Sequence, residues 1–284
     1  MTIFYKTNHT KMAPVDFITF PGGEVHVRNL PKSTGDTYWG NSIVFAGQIE
    51  KSEDVMVLLM ATDAARRQGF TEINLSLPYV PYARQDRVAN PGEAHSLKVF
   101  ATLINAQKYN KVSVYDPHSD VVEALFDNLA ITSNHAFVRS SLPQDKPFYL
   151  VVPDAGAQKK ATALCAFLMA DDRFEGMQVI LANKKRDTKT GQITGFVIDK
   201  QARLDPSMDC YIVDDICDGG GTFMGLAKVL KEAGAGGQHL VVSHGIFSNN
   251  AVNRLTDEYF DSIICATCWS SVAQDNPKLK VLNK

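Results

Sequence analysis

The strongest constraint on the fold is an alternation of short β-rich runs with helical stretches along most of the chain. Several of these runs are apolar throughout, as expected for parallel strands that are covered on both faces. The candidate strands are Ile43–Phe45, Ile73–Leu77, Val112–Tyr115, Phe148–Val152, Val179–Leu181, Tyr211–Val213, His239–Val242 and Ser262–Ala266. Because helices connect these runs, the pattern predicts an α/β fold with mainly parallel sheets flanked by helices.

Two helices can be delimited from their end signals. The first begins at Ser52, a residue type that can cap a helix, and Gly69 ends it. The second begins near Thr222 and ends at Gly234. Its predicted buried positions are Phe223, Leu226, Ala227 and Leu230. In both cases the glycine precedes an apolar strand at the same offset, so the order of elements repeats and predicts two related domains.

The length of 284 residues also fits two compact domains. We place the join near Ser140–Lys146, a polar stretch that contains a proline. This predicts an N-terminal domain at residues 1–140 and a C-terminal domain at residues 141–284.

Charge and hydropathy exclude some classes of protein. The formal net charge is -2 and no block of like charges occurs, so we expect neither a nucleic-acid partner nor a membrane partner. No apolar stretch approaches the ~20 residues that a membrane span needs. No secretory signal is evident, so we expect a cytoplasmic location. The five scattered cysteines fit reduced thiols, and Cys265 and Cys268 lie in a run that we interpret as a buried structural strand.

The most informative segment is Tyr211–Thr222, in which an apolar strand ends in two acids and a glycine-rich loop opens a helix. Successive N–H groups at a helix start bind anions, and glycines let a ligand approach closely. The loop residues are Asp218, Gly219, Gly220, Gly221 and Thr222. Asp214 and Asp215 stand at the carboxyl end of the strand, where their carboxylates suit sugar hydroxyls. The spacing fits neither a Walker A loop nor a dinucleotide fingerprint.

This segment resembles the phosphoribosyl-diphosphate loop of the type I phosphoribosyltransferase superfamily. The resemblance implies a ligand that is ribose 5-phosphate or its diphosphate, but it does not choose the reaction.

A second segment, Pro78–Arg87, reads PYVPYARQDR. Its two prolines follow a strand and disfavour a regular helix. Two guanidiniums on such a loop suit phosphate contacts or stacking on a purine. The segment resembles the ATP-binding segment of the ribose-phosphate diphosphokinase family. This resemblance implies that Arg84, Gln85, Asp86 and Arg87 bind ATP.

Phe20–Glu24, which reads FPGGE, resembles a loop of the same family that contributes to the adenine site. The resemblance adds Phe20 and Glu24 to the ATP-binding residues. Gly22 departs from the family pattern, which has an aspartate at this position.

Two further segments resemble metal-binding segments of the family, and in both an acid follows a strand. They are Tyr115–Asp120 (YDPHSD) and Val152–Lys160 (VPDAGAQKK). The resemblance implies that His118 and Asp154 are metal ligands and that the metal is Mg²⁺.

Ala182–Asp187 (ANKKRD) is followed by a turn and another β-rich run, which predicts a projecting hairpin. Its charges alone suit a solvated hairpin. The family places a Lys-x-Arg pair on a mobile flap here, and Lys184 and Arg186 match that pair. The resemblance implies that these two residues are catalytic.

Taken together, these resemblances imply two tandem phosphoribosyltransferase-like domains, with the ATP-binding motifs in the first and the sugar-phosphate loop and flap in the second. The implied reaction makes phosphoribosyl diphosphate and AMP from MgATP and ribose 5-phosphate, in a homo-oligomer. A phosphoribosyltransferase and a catalytically weak regulatory homologue are the alternatives. The segment after Arg87, VANPGEAHS, lacks the basic residues expected there, which leaves regulation by phosphate or ADP open.

Overall fold

The structure is a computed structural model. It describes residues 3–7, 10–35, 40–153, 158–186, 193–199, 203–269, 272 and 275–282. Within the strands it does not describe the side chains of residues 185–186 and 193–194. The chain divides into two compact units, Met1–Ser133 and Asn134–Lys284.

The first unit contains one mainly parallel sheet, a hairpin and three helices among its described residues. Its strands are β1 (Ile3–Thr7), β2 (Ala13–Pro14), β3 (Phe17–Thr19), β4 (Val25–Val27), β5 (Ser42–Gly47), β6 (Glu72–Leu77), β7 (Lys111–Tyr115) and β8 (Leu129–Thr132). Its helices are α1 (Ser52–Arg67), α2 (Ser96–Ala106) and α3 (Val121–Leu125). The sheet order is β2-β1-β5-β6-β7-β8, in which β5 to β8 are parallel and β1 and β2 are antiparallel. One apolar core extends from Ile3 to Phe126.

The second unit contains a larger sheet with a core on each face. Its strands are β9 (Phe148–Val152), β10 (Met177–Arg186), β11 (Ile193–Ile198), β12 (Asp209–Cys217), β13 (Gln238–Gly245), β14 (Ser262–Cys268) and β15 (Leu279–Val281). Its helices are α4 (His135–Ser141), α5 (Gln158–Met169), α6 (Gly221–Glu232) and α7 (Ala251–Glu258), with a short 3-10 turn at Asp172–Phe174. The order is β11-β10-β9-β12-β13-β14-β15, and among these described strands only β11 pairs antiparallel.

These elements confirm the α/β prediction, and each of the eight predicted strands lies within an observed strand. The four predicted buried positions of α6 are buried. Gly69 and Gly234 follow their helices with φ of 89° and 91°, in the left-handed conformation that glycine adopts readily. Both units also contain a β–α–β element, β5-α1-β6 and β12-α6-β13, with parallel strands.

The predicted cap at Ser52 is wrong, because Lys51 is the cap residue and Ser52 is already helical. The carboxylate of Asp54 accepts hydrogen bonds from the backbone N–H groups of Lys51 (2.9 Å) and Glu50 (3.0 Å). An acid in the first turn therefore satisfies donors that the helix itself leaves unpaired, and its charge suits the helix dipole.

The division between the units lies between Ser133 and Asn134, before the stretch at which we expected the join. The reason is the packing of α4, whose Val138 joins Leu142 in a core with Phe148 and Leu150 of β9. These apolar contacts attach α4 to the second unit.

Among the described residues, no helix is both long and apolar enough to cross a membrane.

Candidate active site

The glycine-rich loop lies where β12 ends and α6 begins. Gly220 is the N-cap residue of α6, with φ of 78°, and Gly221 is its first helical residue. The first turn of α6 contains no acidic side chain that could compensate the positive end of the helix dipole. Thr222 is half-buried and Gly221 is exposed. The helix start therefore offers N–H groups, a hydroxyl and a positive potential, which together suit a phosphate.

The two predicted sugar-binding acids lie in the last part of β12. Asp215 is buried, with 8% of its surface exposed, and Asp214 is half-buried. A side-chain oxygen of Asp214 accepts a hydrogen bond of 2.9 Å from the backbone N–H of Asp215. Burial of the Cys217 thiol raises its pKa, and the negative charges of Asp214 and Asp218 raise it further. Asp214 and Asp215 thus form an acidic site at the strand end, beside the glycine-rich loop.

A hydroxyl that the sequence analysis missed completes this loop. Ser248 Oγ donates a hydrogen bond of 2.6 Å to Asp218 Oδ1. The two residues are 30 positions apart in the chain, and no local sequence signal pairs them. Only the parallel pairing of β12 with β13, which precedes Ser248, brings them together.

The predicted hairpin is formed by β10 and β11, which are antiparallel and pair Lys184 with Phe196. Lys184 is half-buried. Phe196 packs on α6 so closely that a Cβ added at Gly225 would lie 2.9 Å from the phenylalanine ring. The hairpin is thereby packed against the helix that begins at the glycine-rich loop. The side chain of Arg186 and the predicted turn lie outside the described residues.

In the first unit, the arginine-containing segment forms the loop after β6, and it is irregular as its prolines predict. Buried apolar residues anchor the loop, including Val80 and Ala83, while turn hydrogen bonds shape it. Tyr82 takes a φ of 62°. The four predicted ATP-binding residues come next. Arg84, Gln85 and Arg87 are exposed and Asp86 is half-buried.

FPGGE forms the tip of the β3–β4 hairpin. Gly23 N–H donates to Phe20 O (2.8 Å), and Phe20 N–H donates to Glu24 O (2.8 Å). Gly23 has φ of 91°, which is the arrangement of a tight turn closed by a left-handed residue. A Cβ at Gly22 would meet no atom within 4 Å, so the backbone does not demand glycine there. Phe20 and Glu24 are both exposed.

The start of α1 borders both predicted ATP-binding segments of the first unit. Thr19 Oγ1, next to FPGGE, donates to Glu53 Oε1 (3.1 Å). Ser52 Oγ and Tyr82 OH, next to Arg84, are 3.0 Å apart. The structure therefore places the two segments at one corner of this unit.

The predicted metal ligands are described only in part. His118 is exposed in the loop after β7, a strand that pairs in parallel with β6, and Asp154 lies outside the described residues. The described part of the chain contains no cluster of three or more His, Cys, Asp or Glu that could hold a metal ion. A Mg²⁺ ion bound mainly by substrate phosphates and water needs only one or two protein ligands. An exposed imidazole can reach such an ion, so His118 fits this role.

The CxxC pair lies in β14, as the structural interpretation predicts. Cys265 is buried, and its hydrogen bond with Cys268 and its burial raise its pKa. All five cysteines are described and none forms a disulfide.

Comparison with known proteins connects these features to one family. The N-terminal domain of ribose phosphate pyrophosphokinase matches residues 4–107, and the phosphoribosyl synthetase-associated domain matches residues 206–283. A ribose-phosphate pyrophosphokinase of Aquifex aeolicus is 30% identical over 270 residues, which cover 93% of this chain and 82% of that protein. One from Ureaplasma parvum is 30% identical over 234 residues, 80% of this chain and 67% of that protein.

A solved structure agrees at the level of the fold. The phosphoribosylpyrophosphate synthetase of Mycobacterium smegmatis matches with a TM-score of 0.76 at 23% identity, over 95% of this chain and 86% of that one. The shared fold, the two domain matches and the identity over most of the chain lead to one conclusion. The chain belongs to the ribose-phosphate pyrophosphokinase family.

Proposed function

We propose that this chain is a ribose-phosphate diphosphokinase, which transfers the β,γ-diphosphoryl group of MgATP to the C1 hydroxyl of ribose 5-phosphate. One observation carries the proposal. A single chain combines a glycine-rich phosphate loop beside two acids in one unit with an exposed arginine loop in the other. A phosphoribosyltransferase would need the first feature and would have no evident use for the second.

In the second unit, the Asp218–Thr222 loop would hold the 5-phosphate through its N–H groups and the Thr222 hydroxyl. Asp214 and Asp215 would hold the ribose hydroxyls. Because Asp215 is buried beside the loop, it can fix the sugar without competing bulk water.

In the first unit, Arg84 and Arg87 would bind the triphosphate or stack on the purine, since exposed guanidiniums suit both contacts. Gln85, Asp86, Phe20 and Glu24 would complete the nucleotide site. The position of both segments at the start of α1 supports a shared ligand.

The reaction is an in-line displacement. The C1 oxygen forms a bond to the β-phosphorus, and the bond from that phosphorus to the oxygen shared with the α-phosphorus breaks, so AMP leaves. The attacking hydroxyl releases its proton to water. Lys184 and Arg186 would neutralise the negative charge on the transferring group when the hairpin covers it, and a covered site would exclude water that otherwise hydrolyses ATP.

Mg²⁺ would be held by His118, with Asp154 as the second proposed ligand, and it would supply charge neutralisation and orientation of the triphosphate. By the same resemblance we propose a cytoplasmic homo-oligomer with active sites at or near subunit interfaces.

A product assay tests the function. Purified chain, MgATP and ribose 5-phosphate are followed by phosphorus NMR and nucleotide chromatography. AMP and phosphoribosyl diphosphate should form in equal amounts, and only when both substrates are present. Pyrophosphate release from the diphosphate and a base would instead support a phosphoribosyltransferase, and an inactive but folded chain would support the regulatory homologue.

A further inference from the structure

The phosphate loop is held from one side by residues 246–258, which we call the loop support. Ser248 Oγ donates to Asp218 Oδ1 at 2.6 Å. Leu255 packs on Gly220, where an added Cβ would lie 3.1 Å from Leu255 Cδ1. Arg254 Nη1 lies 3.5 Å from Gly219 O, a marginal hydrogen bond. One segment therefore contacts three successive residues of the loop.

The backbone of the loop support is strained around Ser248. Phe247, Asn249 and Asn250 have φ values of 48°, 54° and 56°. Asparagine tolerates this left-handed conformation, but a phenylalanine adopts it rarely and at a cost. Strain of this kind persists only where surrounding contacts impose it, and it tends to occur at ligand sites.

Two contacts impose the conformation of Phe247. Its N–H donates to Cys217 O at 3.0 Å, at the last residue of β12. Its buried ring lies on Gly245, where an added Cβ would be 2.1 Å from the phenylalanine Cε2 atom. The position of Ser248 is thus fixed by a hydrogen bond to the end of β12 and by packing on the end of β13, both made within the chain itself.

From this geometry we propose that Ser248 is a positioning residue, which orients the Asp218 carboxylate and so determines the affinity for ribose 5-phosphate. The inference rests on the proposed function. A hydroxyl at 2.6 Å is a short, charge-assisted hydrogen bond to the carboxylate.

The bond matters because an aspartate before a turn readily accepts the N–H groups two or three residues after it. In this loop those N–H groups belong to Gly220 and Gly221, which are among the donors proposed for the phosphate. The serine hydroxyl fixes one carboxylate oxygen towards the loop support. Without it, the carboxylate can rotate into the anion site, where it competes for the donors and repels the phosphate.

The test is a double-mutant cycle on the full chain, with ribose 5-phosphate binding measured by calorimetry. The variants are Ser248→Ala, Asp218→Asn and the double variant. Loss of a charge-assisted hydrogen bond predicts about a 10-fold or greater rise in Kd for Ser248→Ala. If Ser248 acts through Asp218, the double variant binds within about twofold of Asp218→Asn alone, because coupled residues are not additive.

Ser248→Thr keeps the hydroxyl, so its Kd for ribose 5-phosphate should lie within about threefold of the Kd of the original chain. Ser140→Ala is the matched control, because the Ser140 hydroxyl donates to Phe137 O (2.8 Å) on an exposed face of α4. It should leave Kd unchanged. In turnover, Ser248→Ala should raise KM for ribose 5-phosphate and change kcat and KM for MgATP by less than about threefold, since it removes a ground-state contact.

Additive losses in the cycle would overturn the positioning role and make Ser248 a direct ligand contact. An unchanged Kd for Ser248→Ala would overturn it as well. If the original chain binds ribose 5-phosphate but makes no AMP, the proposed function fails while the cycle still decides the role of Ser248. If it does not bind ribose 5-phosphate, both proposals fail.

Discussion

The two units present different chemical groups at the carboxyl ends of their parallel strands. After β6, the first unit exposes the long side chains of Arg84 and Arg87 on a loop anchored by buried apolar residues. After β12, the second unit presents the main chain of three glycines at the start of α6. The first surface is made of side chains and the second mainly of backbone.

This difference determines how each surface can be damaged. A contact made by an arginine is lost when the side chain is removed. A contact made by backbone N–H groups is lost when a side chain is added or when the backbone shifts. The loop support contacts the glycine loop at three residues, which suits a surface whose geometry must be held from outside.

The largest expected effect is that of Lys184→Ala. If this cation meets the transferring group mainly in the transition state, kcat should fall about 10³-fold while KM for MgATP changes by less than about threefold. Steady-state kinetics check it, with Lys231→Ala on the exposed last turn of α6 as the control. Equal losses in kcat and in nucleotide affinity would contradict the flap role and make Lys184 an ordinary binding side chain.

Gly220→Ala tests the surface of the second unit, which is made mainly of backbone, by adding a side chain to it. Its φ of 78° costs a residue with a side chain roughly 1–2 kcal/mol, and the new Cβ would press on Leu255 at 3.1 Å. We expect a lower thermal midpoint and weaker binding of ribose 5-phosphate. Gly221→Ala is the control for stability, because a Cβ there meets no atom within 4 Å. Equal midpoints for the two variants would show that the left-handed conformation is not required.

Arg84→Ala tests the surface of the first unit, which is made of side chains, by removing one of them. Loss of one exposed phosphate contact should raise KM for MgATP about 10-fold and leave KM for ribose 5-phosphate unchanged. The effect should shrink at high ionic strength, because salt screens exposed charges. Kinetics at two salt concentrations measure it. An equal rise in both KM values would remove the distinction between the two surfaces.

His239, at the opposite end of β13 from the phosphate loop, provides a pH test that should leave the binding surface intact. Burial lowers its pKa below 6.5, and Lys146 lowers it further, although Asp209 and Asp261 act in the opposite direction. As the pH falls through 6.5, the His239 imidazole is protonated more readily in the unfolded chain than in the folded chain. The contribution of neutral His239 to the free energy of unfolding is therefore present above pH 6.5 and is lost below it, by at most about 1.4 kcal/mol per pH unit.

His239→Gln removes the titrating imidazole and should reduce the fall in thermal midpoint between about pH 7.5 and about pH 5.5. The affinity for ribose 5-phosphate should not change. A fall as steep as that of the original chain would assign the pH dependence to other groups.

The smallest effect is expected for Gly22→Asp. The added side chain has open space around it, so the fold should not change. The family resemblance predicts an additional nucleotide contact, which should lower KM for MgATP by roughly the few-fold of one exposed hydrogen bond. An unchanged KM would indicate that the nucleotide of this chain does not approach the hairpin tip.

Local chemistry explains what the sequence by itself determined. Apolar runs predicted the strands, and the glycines at 69 and 234 predicted helix ends, because burial periodicity and left-handed φ values are properties of short segments. The glycine-rich turn from β12 into α6 was predictable for the same reason. The binding and catalytic roles of all the predicted site residues remain predictions.

Tertiary structure decided the features that depend on residues far apart in the sequence. Helix α4 belongs to the second unit because it packs with β9. The cap at Ser52 was wrong because Lys51 is the cap residue, and the Asp54 carboxylate accepts the N–H groups of Lys51 and Glu50. The bond from Ser248 to Asp218 exists because β12 and β13 lie side by side, and Phe247 holds its strained backbone through contacts with Cys217 and Gly245. Strand pairing and close packing set such distances, and neither leaves a pattern in a short stretch of sequence.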